Sequence, residues 1–282
     1  MGRCFFATDL HGRVDRYRKL FDAVRAERPD AVFLGGDLLP NAGAAPAAGR
    51  DFLRDVLAAG FAATRTALGP DAPRVFVVLG NDDPRALEPE LAAGEAHGLW
   101  EYVHARRAQL GRHPIFGYAC VPPTPFQLKD WERYDVSRFV DPGCVSPEEG
   151  RRTVRVDASE VRFGTIARDL EALVAGAPLD DAILLLHSPP YGLLDRADLD
   201  GRSIDGVPLD PHVGSIAIAR FLEARQPLVS LHGHVHESAR LTGVWRGRIG
   251  RTHVLGGAHG GPELALVRFD PDDPEAATRE LL

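Results

Sequence analysis

Arg3-Cys4-Phe5-Phe6-Ala7-Thr8 runs directly into Asp9-Leu10-His11-Gly12. A short apolar run cut off by a glycine turn predicts a buried strand, here over residues 3–8. A helix follows from about Val14 to Arg28, with Leu20, Phe21 and Val24 on one face, and Pro29-Asp30 breaks it. The unit then recurs. Ala31-Val32-Phe33-Leu34 ends at Gly35-Gly36-Asp37, and Val75-Phe76-Val77-Val78-Leu79 ends at Gly80-Asn81-Asp82-Asp83-Pro84. Between them lie an Ala/Gly/Pro-rich loop, residues 40–49, and a helix over 50–68 with Phe52, Val56, Ala59 and Ala63 in register. Strand, polar turn, helix is the grammar of an α/β sheet. In such sheets functional residues gather beyond the carboxyl ends of the strands. One Asp after a strand is an ordinary helix cap. Three successive strand ends with Asp, His or Asn ask for another explanation.

Outward from this core the pattern loosens. Residues 99–103 and 115–121 read as strands. Pro122-Pro123-Thr124-Pro125-Phe126 must be extended or turned, because each proline restricts itself and its predecessor. Lys129-Asp130-Trp131-Glu132-Arg133-Tyr134 clusters charge and aromatics. Residues 122–157 are expected as a lid-like insertion in a single domain spanning 1–282, with an ordinary long surface loop as the alternative. Residues 159–175 read as one helix, capped by Asp157 or Ser159. Ile183–Leu186 is a buried strand ending at His187-Ser188-Pro189-Pro190-Tyr191-Gly192. A polar loop covers 195–211, and a helix runs from Gly214 to Arg225 with Ser215 near its start. The strand Pro227–Leu231 leads into His232-Gly233-His234-Val235-His236, and β runs are expected at 239–246, 252–256 and 263–269.

Composition narrows the class. The chain has 282 residues, 44% hydrophobic and 26% charged, which suits a soluble globular protein. A net charge of −7 argues against coating nucleic acid. No apolar run approaches the roughly 20 residues of a membrane helix. Met1 to Asp9 is too short and too soon acidic for a signal peptide. Cys4, Cys120 and Cys144 are odd in number and form no CxxC, so a disulfide framework is not expected. The expected setting is the cytoplasm.

Ligand-type residues mark five strand ends: Asp9, His11, Asp37, Asn81, His187, His234 and His236. Neutral imidazole suits transition metals, and carboxylate and amide oxygens complete such sites. An extended 232–236 would point its three histidines one way, whereas a tight glycine turn would splay them. One ion needs about four to six donors, so these groups serve two ions only if one bridges. A carboxylate has two oxygens to share, and Asp37 is the lone carboxylate on its turn.

Asp9-x-His11, Gly36-Asp37, Gly80-Asn81-Asp82-Asp83, His187 and Gly233-His234-x-His236 occur in the order seen in calcineurin-like metallophosphoesterases. The chain resembles that family from residue 9 to 236, as a prokaryotic-type member. The resemblance implies a four-layer α/β/β/α sandwich of two mixed β-sheets flanked by helices. It implies two divalent or transition-metal ions (Mn, Fe, Zn or Ni) about 3–4 Å apart. Asp9, His11 and His236 would hold the first and Asn81, His187 and His234 the second, with Asp37 bridging. A metal-bridging hydroxide would attack phosphorus in line, making the chain a hydrolase of phosphomonoesters or phosphodiesters. The expected substrate is small and phosphorylated, a nucleotide among the candidates, with no membrane or nucleic-acid partner.

One position departs from the family pattern. The family often has Gly-Asn-His-Asp or Gly-Asn-His-Glu, and its His assists the leaving group. Asp82 stands in that catalytic place and, as an ordinary Asp, is ionised at neutral pH. The departure gives weight to an alternative, a metal-binding scaffold or ligand-binding protein on the same fold. A nuclease is a third reading, opposed by the net charge. Asp83 is expected in a turn or hydrogen-bonded to a ligand histidine. His232 is expected to support the ligands. His212, Tyr191, Asp195 and His259 are possible pocket residues, Lys129 and Arg133 possible phosphate binders. His97, His104, His113 and His253 read as ordinary.

Overall fold

The apolar runs assemble into two six-stranded sheets, and the chain reaches them in order in a computed structural model that describes residues 2–40 and 46–282. The elements are β1 (Cys4–Ala7), α1 (Val14–Glu27), β2 (Ala31–Gly35), α2 (Pro46–Phe52), a π-helical stretch (Leu53–Ala58), α3 (Ala59–Leu68), β3 (Arg74–Val78), α4 (Glu88–Ala96), β4 (Glu101–Tyr102), β5 (Arg106–Leu110) and β6 (His113–Tyr118). There follow α5 (Ala158–Phe163), α6 (Ile166–Val174), β7 (Ile183–Leu186), β8 (Ser203–Ile204), β9 (Val207–Pro208), α7 (Ile216–Arg225), β10 (Val229–His232), α8 (Ser238–Thr242), β11 (Arg246–Ile249), β12 (Thr252–Gly256), β13 (Ala265–Asp270) and β14 (Asp273–Leu281).

The first sheet runs β14-β13-β1-β2-β3-β4, with β1 to β4 parallel and β13 and β14 antiparallel. The second runs β11-β12-β10-β7-β6-β5, with β12, β10, β7 and β6 parallel and the edge strands antiparallel. The sheets face each other, β2 against β7 and β3 against β6, with α1 and α3 paired and α6 and α7 paired. This is the expected α/β sandwich of two mixed sheets flanked by helices. One contiguous core joins Phe33 and Phe76 of the first sheet to Phe116, Leu185 and Leu231 of the second. β1, β2, β7 and β10 are buried at every residue; the first three read as apolar runs for that reason, and β10 buries Ser230 and His232 as well. Among the described residues no helix is long and apolar enough to cross a membrane.

Several expectations need correction. Of the loop expected at 40–49, residues 41–45 lie outside the described residues and 46–49 begin α2. Pro46 suits a first helical position, where its missing N–H has no partner to lose. The single helix expected over 159–175 is two. Gly164 is extended, Thr165 accepts from Arg168 N–H to start α6, and Asp157 accepts from Ser159 N–H to start α5. Residues 239–246 are not one β run: α8 ends at Gly243, whose φ is 71°, and β11 starts at Arg246. The polar loop 195–211 contains the β8–β9 hairpin, turned by Asp205 and Gly206 at φ 51° and 79°. Residues 122–157 form no helix or strand, yet Trp131 within them is fully buried and bonds Asp83 O through Nε1 at 2.8 Å.

Candidate metal centre

The carboxyl ends of β1, β2 and β3 in one sheet meet those of β7 and β10 in the other. Backbone bonds fasten the first two ends together: Asp9 N to Gly36 O (2.9 Å), His11 N to Asp37 O (2.8 Å) and Gly12 N to Leu38 O (2.9 Å). Gly233 N to His187 O (2.9 Å) does the same across the second sheet. Asp9, His11, Asp37 and His234 have φ of 56°, 47°, 52° and 73°. A left-handed conformation costs a non-glycine residue roughly 1 kcal/mol or more. Such strain on four candidate ligands turns the chain out of the strand pleat and back over the strand ends. The Gly233-His234 turn therefore splays the three histidines, the second of the two geometries open to the sequence.

Two groups of donors form. Side-chain donor atoms of Asp9, His11, Asp37 and His236 lie within 4.8 Å of one another, and so do those of Asp37, His187 and His234. Asp37 belongs to both. Asn81 joins the second group through Oδ1, 3.1 Å from His187 Nε2. His236 Nε2 lies 3.0 Å from Asp9 Oδ1 and 3.0 Å from His11 Nε2, and His187 Nε2 lies 3.4 Å from Asp37 Oδ2. Glycines leave the room. A Cβ on Gly80 would sit 2.6 Å from His187 Nε2 and collide with Asp37, and one on Gly233 would sit 2.6 Å from Asp9 Oδ2.

These donors fit metal ions. His187 Nδ1–H donates to Gly35 O at 2.7 Å, which turns Nε2 toward Asp37 Oδ2 and Asn81 Oδ1, where a proton or a metal ion has to lie between them. Lone pairs converging from an imidazole, a carboxylate and an amide repel unless a cation lies among them. The electrostatics agree. Burial alone would raise Asp9, but His236, His187 and His11 hold its carboxyl well below the carboxylate range. Burial would lower His187 and His236, yet the negative charge of Asp37 and Asp9 pushes each up to about 9. His234 is pushed down to about 3, by burial first and then by His187. The cluster draws positive charge.

Asp82 sits at the edge of the cluster, its side chain 33% exposed, with Oδ2 3.6 Å from His11 Nδ1. That Nδ1 is buried and has no hydrogen-bond partner. Burial, then Asp37, raises the Asp82 carboxyl. Asp83 bonds no ligand histidine. It accepts instead from the backbone N–H groups of Leu38 (3.0 and 3.1 Å), Leu39 (2.8 Å) and Gly80 (2.9 Å), tying the Asp37 turn to the Asn81 turn.

The remaining candidates fall elsewhere. His232, buried at the end of β10, donates from Nδ1 to Ser188 O at 2.8 Å and joins neither donor group. His212 donates to the buried Asp195 (2.8 Å), Tyr191 to Asp210 (2.7 Å), and His259 pairs with Glu263 (2.9 Å). Lys129 is fully buried and committed to Glu132 and Thr124 O, and Arg133 is held by Glu160 and Asp169. Among the ordinary histidines, His97 and His113 bond the carbonyls of Ala93 and Asp181, and Arg248 reaches His253. Sequence reading missed Arg16. Buried on α1, it reaches Asp9 O through Nη1 (2.5 Å) and Gly261 O through Nη2, bracing the Asp9 turn. A signal existed, since Arg16, Leu20 and Val24 share one helical register, and a charge among buried residues needs a partner.

The sequence profile described as calcineurin-like phosphoesterase matches residues 2–238. TT1561 of Thermus thermophilus aligns with a TM-score of 0.58 and 18% identity, over 99% of this chain and 98% of that one. A dimetal phosphatase from Danio rerio aligns with a TM-score of 0.53 and 15% identity, over 94% and 91%. At these identities the likeness is one of fold. No curated protein matches the sequence.

Proposed function

The chain belongs to the calcineurin-like phosphoesterase family, and from that premise we propose that it hydrolyses a small phosphate ester, monoester or diester, using two metal ions. The observation that carries this reading is the pair of donor groups joined at Asp37. Asp9, His11 and His236 would hold one ion and Asn81, His187 and His234 the other, with Asp37 shared between them. Two such ions, when bound, would supply a water of lowered pKa and positive charge for the phosphoryl oxygens. Mn, Fe, Zn and Ni all suit this mixed donor set.

The chain's own residues do the positioning. Gly35 O fixes the His187 tautomer, Arg16 steadies the Asp9 turn, and Asp83 locks the Asp37 and Asn81 turns together. Asp82 is assigned contact with the ester, because it is the partly exposed carboxyl beside His11. Residues 122–157 are assigned as cover beside the site within a single domain, supported by the bond from Trp131 to Asp83 O. A cytoplasmic setting is part of the proposal, supported by free thiols at Cys4, Cys120 and Cys144.

The test is turnover of 4-nitrophenyl phosphate and bis(4-nitrophenyl) phosphate by purified protein with and without manganese. Manganese-dependent release is expected, with Asp37→Ala losing both activity and bound metal. Metal uptake with no turnover of either ester supports the binding-protein alternative. Full activity in Asp37→Ala refutes the shared-carboxylate assignment.

A further inference from the structure

A second cleft opens at the carboxyl ends of β4 and β6, one strand outward from β3 and β7, whose ends carry Asn81 and His187. It holds ≈ 370 Å³ of atom-free space open to solvent, with Arg85, His104, Lys129, Glu132, Arg133 and Arg152 among its walls. Most of its charges are spoken for. Lys129 and Glu132 pair with each other, Arg133 pairs with Glu160 and Asp169, and Arg85 pairs with Glu88 at 2.9 Å over the face of Trp131. Asp130 accepts from Arg85 N–H (2.8 Å) and from the N–H (2.8 Å) and hydroxyl of Thr153.

Arg152 is the exception. It is half-buried and makes no hydrogen bond or ion pair with any described residue. This is not a loose segment. On one side Arg151 exchanges backbone bonds with Gln127 O and Lys129 N (both 2.8 Å), and on the other Thr153 is held by Asp130. Burial holds the Arg152 guanidinium below its ordinary range; of its charged neighbours Asp130 pulls hardest the other way, Arg133 and Arg85 repel, and Glu132 attracts. The same field reaches His104, which burial and then Arg85, Arg133 and Arg106 push down to about 3. The cleft sets the cations Arg85, Lys129, Arg133 and Arg152 among the acids Asp130, Glu132 and Glu160, and of these cations Arg152 is the one with an open fork of N–H donors. A half-buried cation without a partner is costly, and an oxyanion is what the guanidinium fork matches.

We propose that Arg152, with Arg85 and Arg133 beside it, binds a phosphate or carboxylate group of a small molecule, at a site separate from the metal donors. The sequence singles out Lys129 and Arg133 for a phosphate; the structure moves the open donor to Arg152.

The test is isothermal titration of the full chain with inorganic phosphate at constant ionic strength, in the wild type, Arg152→Gln, Arg152→Lys and Asp37→Ala. Arg152→Gln should lose one binding event or weaken it about tenfold or more, the scale of a lost charge-assisted bond. Arg152→Lys should weaken it less, and Asp37→Ala should keep it. Binding in Arg152→Gln that equals the wild type overturns the proposal. So does a phosphate signal lost only in Asp37→Ala, which places the anion at the metal donors. Failure of the phosphoesterase reading would leave the Arg152-dependent event intact, so the two fail separately.

Discussion

Asp83→Asn tests what holds the metal turns together. The carboxylate takes Leu38 and Leu39 N–H on Oδ1, and Leu38 and Gly80 N–H on Oδ2. An asparagine of the same shape can keep one oxygen toward Leu38 and Leu39. Its amide N–H₂ then meets the Gly80 N–H, donor against donor, in a fully buried site. One hydrogen bond is lost and one buried donor is orphaned, together about 2–4 kcal/mol. At about 2.1 cal/mol/K per residue, unfolding a chain of this length carries about 0.6 kcal/mol/K, so Tm should fall by about 3–7 °C. Leu38 follows Asp37 and Gly80 precedes Asn81, so loosening this tie should also weaken metal binding about 10- to 100-fold. Calorimetric unfolding and manganese titration read the two effects. An unchanged Tm together with unchanged manganese affinity would refute the clamp.

Gly80→Ala pushes a methyl into Asp37 and His187. It should reduce bound metal well below the wild-type content while far-ultraviolet circular dichroism stays native, and normal metal content would contradict the close approach. His104 gives a pH dependence. Its Nδ1 accepts from Ala119 N–H at 3.0 Å, and burial, then Arg85, Arg133 and Arg106, push its pKa down to about 3. The unfolded chain binds that proton near pH 6.5 and the folded chain does not, so this contribution is complete above about pH 6.5 and lost progressively toward about 3. From pH 7.5 to 5 the wild type should lose on the order of 2 kcal/mol more urea stability than His104→Asn, which keeps an acceptor for Ala119. Parallel losses in the two proteins would contradict it.

The candidate metal centre was legible because its ingredients are local. A buried parallel strand shows as an apolar run, and the turn at its carboxyl end shows as residue type, so Asp9, His11, Asp37, Asn81, His187, His234 and His236 could all be picked out by position. Elements facing solvent were not legible. β5 and β14 are largely exposed edge strands with little apolar alternation, and α4 has only Leu91 and Gly94 buried. The helix break at Gly164 and the hairpin at Asp205-Gly206 depend on one or two residues each. Supporting roles were the hardest to read. Nothing near Asp83 in sequence names Leu38 and Leu39 as its partners, which lie 45 and 44 residues away. Arg152 is one of many arginines until its neighbours are seen to be paired and it is not.

The strained turns say which part of the molecule holds which. Four candidate ligands sit at positive φ, at a joint cost of roughly 4 kcal/mol or more. Such backbone persists only where the surroundings over-determine it. Here the surroundings are the three bonds between the β1 and β2 turns, the Arg16 brace, the four contacts to Asp83, and strands buried at every residue behind them. None of these bonds uses a ligating side-chain atom. The scaffold therefore shapes the donor groups largely from outside, and within the site backbone N–H groups add to it, Asp82 to Asp37 Oδ1 at 2.8 Å and His234 to Asp9 Oδ1 at 3.1 Å.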